Sequence, residues 1–218
     1  VYQARHMSGL TPVQVRLTEK VHLDFVLAGA KLDDAGRKRT AEIVEALSVQ
    51  CTAFAQAVLA DEEEAFVLIE TAAGLAGLPQ DLIDAAAEAA KSKGHEGLWA
   101  ITLGRSFVEP FLTSAKDRKL RQKVWEAFKG RGEMKPERDT KPLIKSILSL
   151  RAEQAKLHGH ATYADYALVN RMAKTPAAVA ELLEAVWSPA VRRAAEEEKL
   201  LSELSGQDGV TQLEAWDW

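Results

Sequence analysis

A helical signal is clearest in residues 11–29, which read TPVQVRLTEKVHLDFVLAG. Thr11 is a good N-cap residue, Pro12 suits the first helical position, and Gln14 can close a capping box. Gly29 is placed to end the helix. Between these signals, apolar residues recur at four-residue spacing, which predicts one apolar helix face. These residues are Val13, Leu17, Val21 and Phe25.

The same kind of periodicity continues along the chain and predicts a mainly α-helical protein. A second helix is expected from Asp33 or Asp34 and ends in the acidic run 61–64, which we expect to be a solvated helix end. Its apolar stripe comprises Ile43, Leu47, Cys51, Phe54 and Val58. Further helices are predicted over 79–93, from a Ser114 cap to a break at 130–132, and over 140–157, 162–172 and 175–204. Pro189 predicts a kink in the last helix.

Two short runs break the helical pattern. Residues 66–69 and 98–103 are rich in aliphatic and aromatic side chains, which is typical of β-strands. We expect them to pair, so the predicted fold is a mainly α, multi-helix domain with one small two-stranded β ribbon. The expected organisation is a single helical fragment over 1–218, with helices in 1–62, a ribbon and helix insert in 63–105, and helices in 106–218.

The composition excludes several classes of protein. The chain has 218 residues, of which 47% are hydrophobic and 28% charged, and these fractions are ordinary for a folded soluble domain. The net charge is −4 and no basic block is present, so no nucleic acid partner is expected. No apolar stretch looks long enough for a membrane span, so no membrane partner is expected either.

The single cysteine, Cys51, excludes an internal disulfide framework. It lies on the apolar stripe of the second helix, and we expect a small buried hydrophobe rather than a nucleophile. A free cysteine without a signal-peptide pattern suits a reducing compartment, which predicts a cytoplasmic protein. The chain begins Val1-Tyr2 and stops at Trp218 within amphipathic sequence, so we expect both ends to be cuts through a longer protein.

The chain contains little catalytic chemistry. His95-Glu96 begins a His-Glu-x-x-His pattern, but Trp99 stands where the second histidine is needed. His158 falls at a helix end, where a cation suits the helix dipole, and His160 follows in a loop. These two could form a weak metal site, but no set of three ligands can be assembled from the local spacings. We therefore predict no catalytic, cofactor-binding or metal-binding residue in this chain.

Several runs in order along the chain resemble one family of peptidases. The stretches 150–160 (LRAEQAKLHGH), 163–166 (YADY) and 172–175 (MAKT) resemble the thimet oligopeptidase family. The stretch 25–32 (FVLAGAKL) looks like its bacterial peptidyl-dipeptidase branch. The closing residues 216–218 (WDW) resemble the Trp-Asp-x segment of the same family.

This resemblance implies a mostly helical zinc peptidase that cuts short peptides inside a deep channel. The His-Glu-x-x-His motif and the third zinc ligand of the family would lie beyond Trp218, so no position here inherits a zinc ligand. His158 and His160 stand beside variable turn positions of the family and inherit no metal role. The resemblance thus implies an enzymatic parent protein that carries zinc, while this chain binds none. The chain would be a non-catalytic part of the channel wall, with short peptides and the missing catalytic C-terminal part as its partners.

A second hypothesis remains open. The chain could be a stand-alone helical peptide-binding or interaction module that has kept the architecture and lost the catalytic activity. Such a module should have natural ends, whereas a cut edge should expose apolar surface where the catalytic part packs. Whether the chain alone has any activity is left open by the sequence, as are the substrate preference and the choice between dipeptide release and internal cleavage.

Overall fold

A computed structural model describes residues 1–7 and 9–218. Within these residues the chain forms eight α-helices, two 3₁₀ helices and one two-stranded sheet, which confirms the predicted mainly α class with a small ribbon. The helices are α1 (Pro12–Leu27), α2 (Asp34–Glu64), α3 (Gln80–Ser92), α4 (Arg105–Ser114), α5 (Arg118–Lys129), α6 (Lys141–Leu157), α7 (Tyr163–Leu168) and α8 (Pro176–Gln207). The strands are β1 (Phe66–Ile69) and β2 (Trp99–Thr102), and the 3₁₀ helices are Ala72–Leu75 and Pro136–Arg138.

The chain divides into two compact units, each built from distant segments. The first unit contains residues 1–52 and 143–187, and the second contains residues 53–142 and 188–218. The finer division into 1–62, 63–105 and 106–218 stays a prediction.

The second unit is organised around the ribbon. Strands β1 and β2 pair, as the sequence predicts. The pairing is antiparallel, with Phe66 opposite Thr102 and Ile69 opposite Trp99. The core beside them includes Ile101 and Phe111, both fully buried. Helix α3 adds its apolar face to this core because Leu82, Ala86 and Ala90 recur every four residues and are buried.

The first unit contains α1, whose start is as predicted. The Thr11 side chain accepts from the Gln14 backbone N–H, and the Gln14 side chain accepts from the Thr11 N–H. Gly29, just past the end of the helix, has φ of 98°, a left-handed conformation that suits glycine. No residue of α1 is buried, however, and its predicted apolar face is exposed, with Val13 at 77%.

Two contacts join other elements of the first unit. Arg39 on α2 donates through Nε and Nη2 to both carboxylate oxygens of Glu153 on α6, at 2.7 and 2.9 Å. Tyr166 on α7 donates its hydroxyl to the Leu27 carbonyl at 2.9 Å. These bonds hold α7 to the end of α1, and α6 to the early part of α2.

Three details of the predicted elements are wrong. Ser114 is the last residue of α4 rather than the cap of α5. Asp117 caps α5 instead, because its side chain accepts from the backbone N–H groups of Lys119 and Leu120. Helix α7 ends at Leu168 and not near Met172, and α8 continues beyond Leu204 to Gln207.

Helix α2 corrects an expectation about membranes. One 18-residue window of this helix has a mean hydropathy of 1.5, and 6% of the window is buried. By length and composition the helix could therefore cross a membrane, contrary to the prediction that no such stretch exists. This is weak evidence of a membrane span, because the core helix of a water-soluble protein passes the same test.

Candidate functional site

Asp61, near the end of α2, is a fully buried carboxylate in the second unit. Its Oδ2 accepts from the Gly132 N–H at 2.8 Å and the Met134 N–H at 3.3 Å, while Arg138 Nε donates to Oδ1 at 2.9 Å. Burial raises the pKa of Asp61, but these hydrogen bonds together lower it below its ordinary value. The prediction that 61–64 is a solvated helix end is therefore wrong at Asp61, because the loop after α5 covers it.

The neighbouring carboxylates of the run are also paired with cations. Arg131 Nη1 donates to Glu62 at 2.6 Å, and Arg138 Nη1 donates to Glu64 at 2.6 Å. Hydrogen bonds from Arg138, and from Lys135, lower the pKa of Glu64 to about 2. Cations of the loop that covers α2 therefore pair with all three carboxylates. Their geometry is that of a structural clamp, because an ionised and fully paired carboxylate has no proton to donate.

A second buried carboxylate, Asp217, lies near the end of the second unit. Its side chain is 5% exposed and pairs with Arg118 and Arg121, each at 2.7 Å. Burial raises the pKa of Asp217, but hydrogen bonds from Arg118 and Arg121, and from the Glu214 N–H, lower it to about 2. The Asp217 N–H donates to the Glu214 carbonyl in a turn, and Trp216 packs edge-on against Trp125.

His158 and His160 lie on either side of one tyrosine in the first unit. Their ring centroids are 4.9 and 5.6 Å from that of Tyr166. Burial lowers the pKa of His158, and the charge of His160 lowers it further. The neutral imidazole is thus favoured, which contradicts the expectation of a cation at the end of α6. The Nε2 atom of His158 is buried and has no hydrogen-bond partner within the described residues.

The remaining candidate residues lie apart from one another. His95 packs against Phe66 with ring centroids 5.6 Å apart, and His22 stacks on Tyr2 at 3.6 Å. Cys51 is exposed, so its predicted burial is wrong. Throughout residues 1–7 and 9–218, no group of three or more His, Cys, Asp or Glu side chains could hold a metal ion.

The first unit contains an open groove that no sequence pattern indicated, and we call it the α2 groove. It has a volume of about 650 Å³ and is lined from α1, α2, α6 and α7. Its lining residues include Leu27, Thr40, Ala41, Val44, Ser48 and Tyr166. Thr40 is 6% exposed, and its buried Oγ1 has no hydrogen-bond partner among the residues described. A threonine beside Arg39 gives no signal of burial, because no local pattern indicates which distant residues pack around it.

Comparison with known proteins links this arrangement to one family. Residues 111–218 match the model of peptidase family M3. The chain is 32% identical over 219 residues to the dipeptidyl carboxypeptidase of Salmonella typhimurium, a match that covers 100% of this chain and 32% of that protein. The protein of the same name from Escherichia coli is 33% identical, with the same coverage.

A third relative extends the match to another enzyme of the family. Oligopeptidase A of Haemophilus influenzae is 35% identical over 212 residues, or 94% of this chain and 30% of that protein. The chain thus spans about a third of the length of the curated relatives that it matches. These matches confirm the resemblance carried by residues 150–175 and their neighbours: the chain belongs to peptidase family M3.

Proposed function

We propose that this chain is a non-catalytic helical portion of a zinc-dependent M3 peptidase that hydrolyses short peptides. In this proposal the chain forms part of the wall of a substrate channel. The observation that carries it is the alignment of the entire chain with 32% of a dipeptidyl carboxypeptidase. The catalytic groups would then belong to the remaining two thirds of the parent protein, by which we mean the longer peptidase that contains this chain.

The side chains present do not fit a zinc site. A catalytic zinc needs three protein ligands converging on one point. His158 and His160 approach each other around Tyr166, but within the described part of the chain no third donor joins them in a group that could hold a metal. We therefore assign zinc to the part of the parent protein outside this chain.

The exposure of helix α8 supports the proposal that another part of the parent protein packs against this chain. Every residue from 181 to 200 is exposed, including Leu182, Val186 and Trp187, the last at 66%. An isolated helix is marginally stable in water, and most of its stability in proteins comes from packing of an apolar face. Exposed apolar surface of this kind marks an interaction site. We propose that the catalytic part of the parent protein packs there.

The peptide substrate and the cellular location follow from the relatives. Dipeptidyl carboxypeptidase and oligopeptidase A are peptidases by name, so we propose short peptides as substrates of the parent protein. We propose a cytoplasmic location, because one relative is named a probable cytosolic oligopeptidase A, although another is named organellar.

The alternative is a stand-alone helical module that binds peptides without cutting them. A fluorescent dye specific for apolar surface separates the two proposals when added to the purified chain and to the complete parent protein. We expect strong dye binding by the chain alone and weak binding by the parent, because packing covers α8 and α1. Weak dye binding by the chain, together with saturable binding of a short peptide, would support the stand-alone module instead.

A further inference from the structure

The α2 groove exposes a row of small and β-branched side chains, which we call the α2 seam. Ala41, Val44 and Ser48 line the groove, and Cys51 continues the row along α2 beyond the groove lining. The four residues follow one another at spacings of three, four and three residues. This alternation keeps the side chains on one helix face, as in the seam of a coiled coil. All four residues are exposed. The seam therefore has the pattern of a helix–helix contact without a partner helix beside it in the described structure.

Thr40 provides an independent sign that something occupies the groove. It lines the groove at 6% exposure, and its hydroxyl is buried without a hydrogen-bond partner among the described residues. Buried polar groups in folded proteins are nearly always hydrogen-bonded, because leaving one unsatisfied costs free energy. Rotation of the Thr40 side chain towards an occupant that offers a donor or acceptor would remove that cost.

The shape of the exposed surface favours a helix over a membrane. One face of α2 is already used within the first unit, since Ile43 is fully buried and Arg39 is bonded to Glu153. A membrane-spanning helix would need apolar surface all round, whereas α2 pairs Arg39 with Glu153 on the face that the first unit already uses. The seam runs from residue 41 to residue 51, or about 15 Å at 1.5 Å per residue, which a partner helix of about three turns would cover.

We infer that the α2 groove seats an α-helix from the part of the parent protein that lies outside these 218 residues. This inference rests on the proposed function, since the chain corresponds to 32% of a dipeptidyl carboxypeptidase and the remainder is long enough to supply the helix. The small side chains of Ala41 and Ser48 allow a close approach of the two backbones. Glu45 lines the groove without a described ion-pair partner, so the seated helix should carry a cation there and a polar group at Thr40.

Cys51 allows a direct test, because it is the single cysteine of the chain and lies on the seam. The rate of its alkylation by N-ethylmaleimide is measured by peptide mapping in the 218-residue chain and in the complete parent protein. We expect fast alkylation in the chain alone and at least tenfold slower alkylation in the parent. Equal rates would overturn the inference. The inference would also be overturned if Cys51 of the isolated chain were protected from alkylation only at high protein concentration, which indicates self-association. Protection only with phospholipid vesicles would overturn it as well, because it indicates membrane binding.

A matched pair of substitutions in the parent protein tests where the helix docks. Ala41→Arg places a bulky charge on the seam, while Ala53→Arg places it on the same helix about 120° away, and both positions are exposed. We expect Ala41→Arg to restore fast alkylation of Cys51 and Ala53→Arg to leave it slow. In the isolated chain both variants should unfold at the same urea concentration as the unmodified chain, so restored alkylation does not reflect misfolding. A protected Cys51 in Ala41→Arg would overturn the inference.

Peptide hydrolysis by the same parent preparation separates this inference from the proposed function. Chelator-sensitive hydrolysis with a freely reactive Cys51 would overturn the seated helix and leave the peptidase proposal standing. A protected Cys51 without any hydrolysis would support the seated helix and contradict the peptidase proposal.

Discussion

At the scale of single residues, Asp61 has the greatest structural consequence among the carboxylates of its run. It accepts from two backbone N–H groups and one guanidinium while fully buried, so its charge is compensated only as long as the loop over α2 stays in place. Its neighbour Glu63 is exposed and forms no side-chain ion pair among the described residues. The two residues thus differ sharply in what their charge contributes.

We predict that Asp61→Asn lowers the free energy of unfolding of the second unit by about 2 kcal/mol. Hydrogen bonds to a charged group contribute about 1.5–3 kcal/mol, and the amide keeps the volume while losing the charge. Urea unfolding followed by circular dichroism measures the change. Glu63→Gln is the control and should change the free energy by less than about 0.5 kcal/mol. Equal effects of the two substitutions would show that Asp61 does not hold the loop.

Asp217 makes stability depend on pH in a defined window. Its pKa is about 2 in the folded chain, against an ordinary value of 3.8, so the unfolded state binds more protons between these pH values. The ion pairs therefore stabilise the second unit fully above about pH 4, and this contribution is lost as pH falls towards 2. The shift corresponds to about 2 kcal/mol at neutral pH, at about 1.4 kcal/mol per pKa unit.

We predict that Asp217→Asn reduces the stability at pH 7 by about 2 kcal/mol and makes little difference at pH 2. The difference between the two proteins should shrink steadily as the pH of the urea titration is lowered from 4 to 2. The exposed Asp208, mutated to Asn, is the control and should leave the pH profile unchanged. A difference that is constant with pH would contradict the ion-pair account.

At the scale of elements, two capping boxes were predictable, whereas the Asp117 cap of α5 and the tertiary contacts were not. The capping boxes of Thr11 with Gln14 and of Thr162 with Asp165 are local, so the sequence alone indicates where α1 and α7 begin. The burial of Asp61 depends on Gly132 and on other residues more than 70 positions away, and no local pattern signals it. The sequence likewise does not predict that the apolar face of α1 is exposed, because periodicity shows that a face is apolar but not what covers it.

A turn in the second unit requires glycine for two separate reasons. Gly77 has φ of 90°, and a Cβ there would collide with the backbone carbonyl oxygen of Ser114 at the end of α4. We predict that Gly77→Ala destabilises the second unit by more than 1 kcal/mol. Gly206→Ala is the matched contrast, because Gly206 is inside α8 with open space around it, and alanine favours a helix by about 0.5–1 kcal/mol. Thermal unfolding should therefore shift in opposite directions, and equal shifts would contradict this account of the turn.

At the scale of the whole molecule, the sequence indicated the family, whereas the helical fold alone does not indicate it. Short runs such as 150–160 and 172–175 carried the resemblance, and relatives matching the full chain confirm it. The α2 groove was not predictable, because its lining residues come from four helices that only the tertiary structure brings together. The exposed apolar surfaces of α1, α2 and α8 make the same point, since the sequence shows that these faces are apolar but not what covers them.

The most direct test of the central claim is hydrolysis of a short blocked peptide by the purified 218-residue chain, with and without a metal chelator. The account predicts no turnover above the buffer rate under either condition, because no three-ligand set for zinc exists among the described residues. The complete parent protein, assayed beside it, should cleave the peptide and lose activity with chelator. Chelator-sensitive turnover that co-purifies with the chain alone would contradict the claim that its role is non-catalytic.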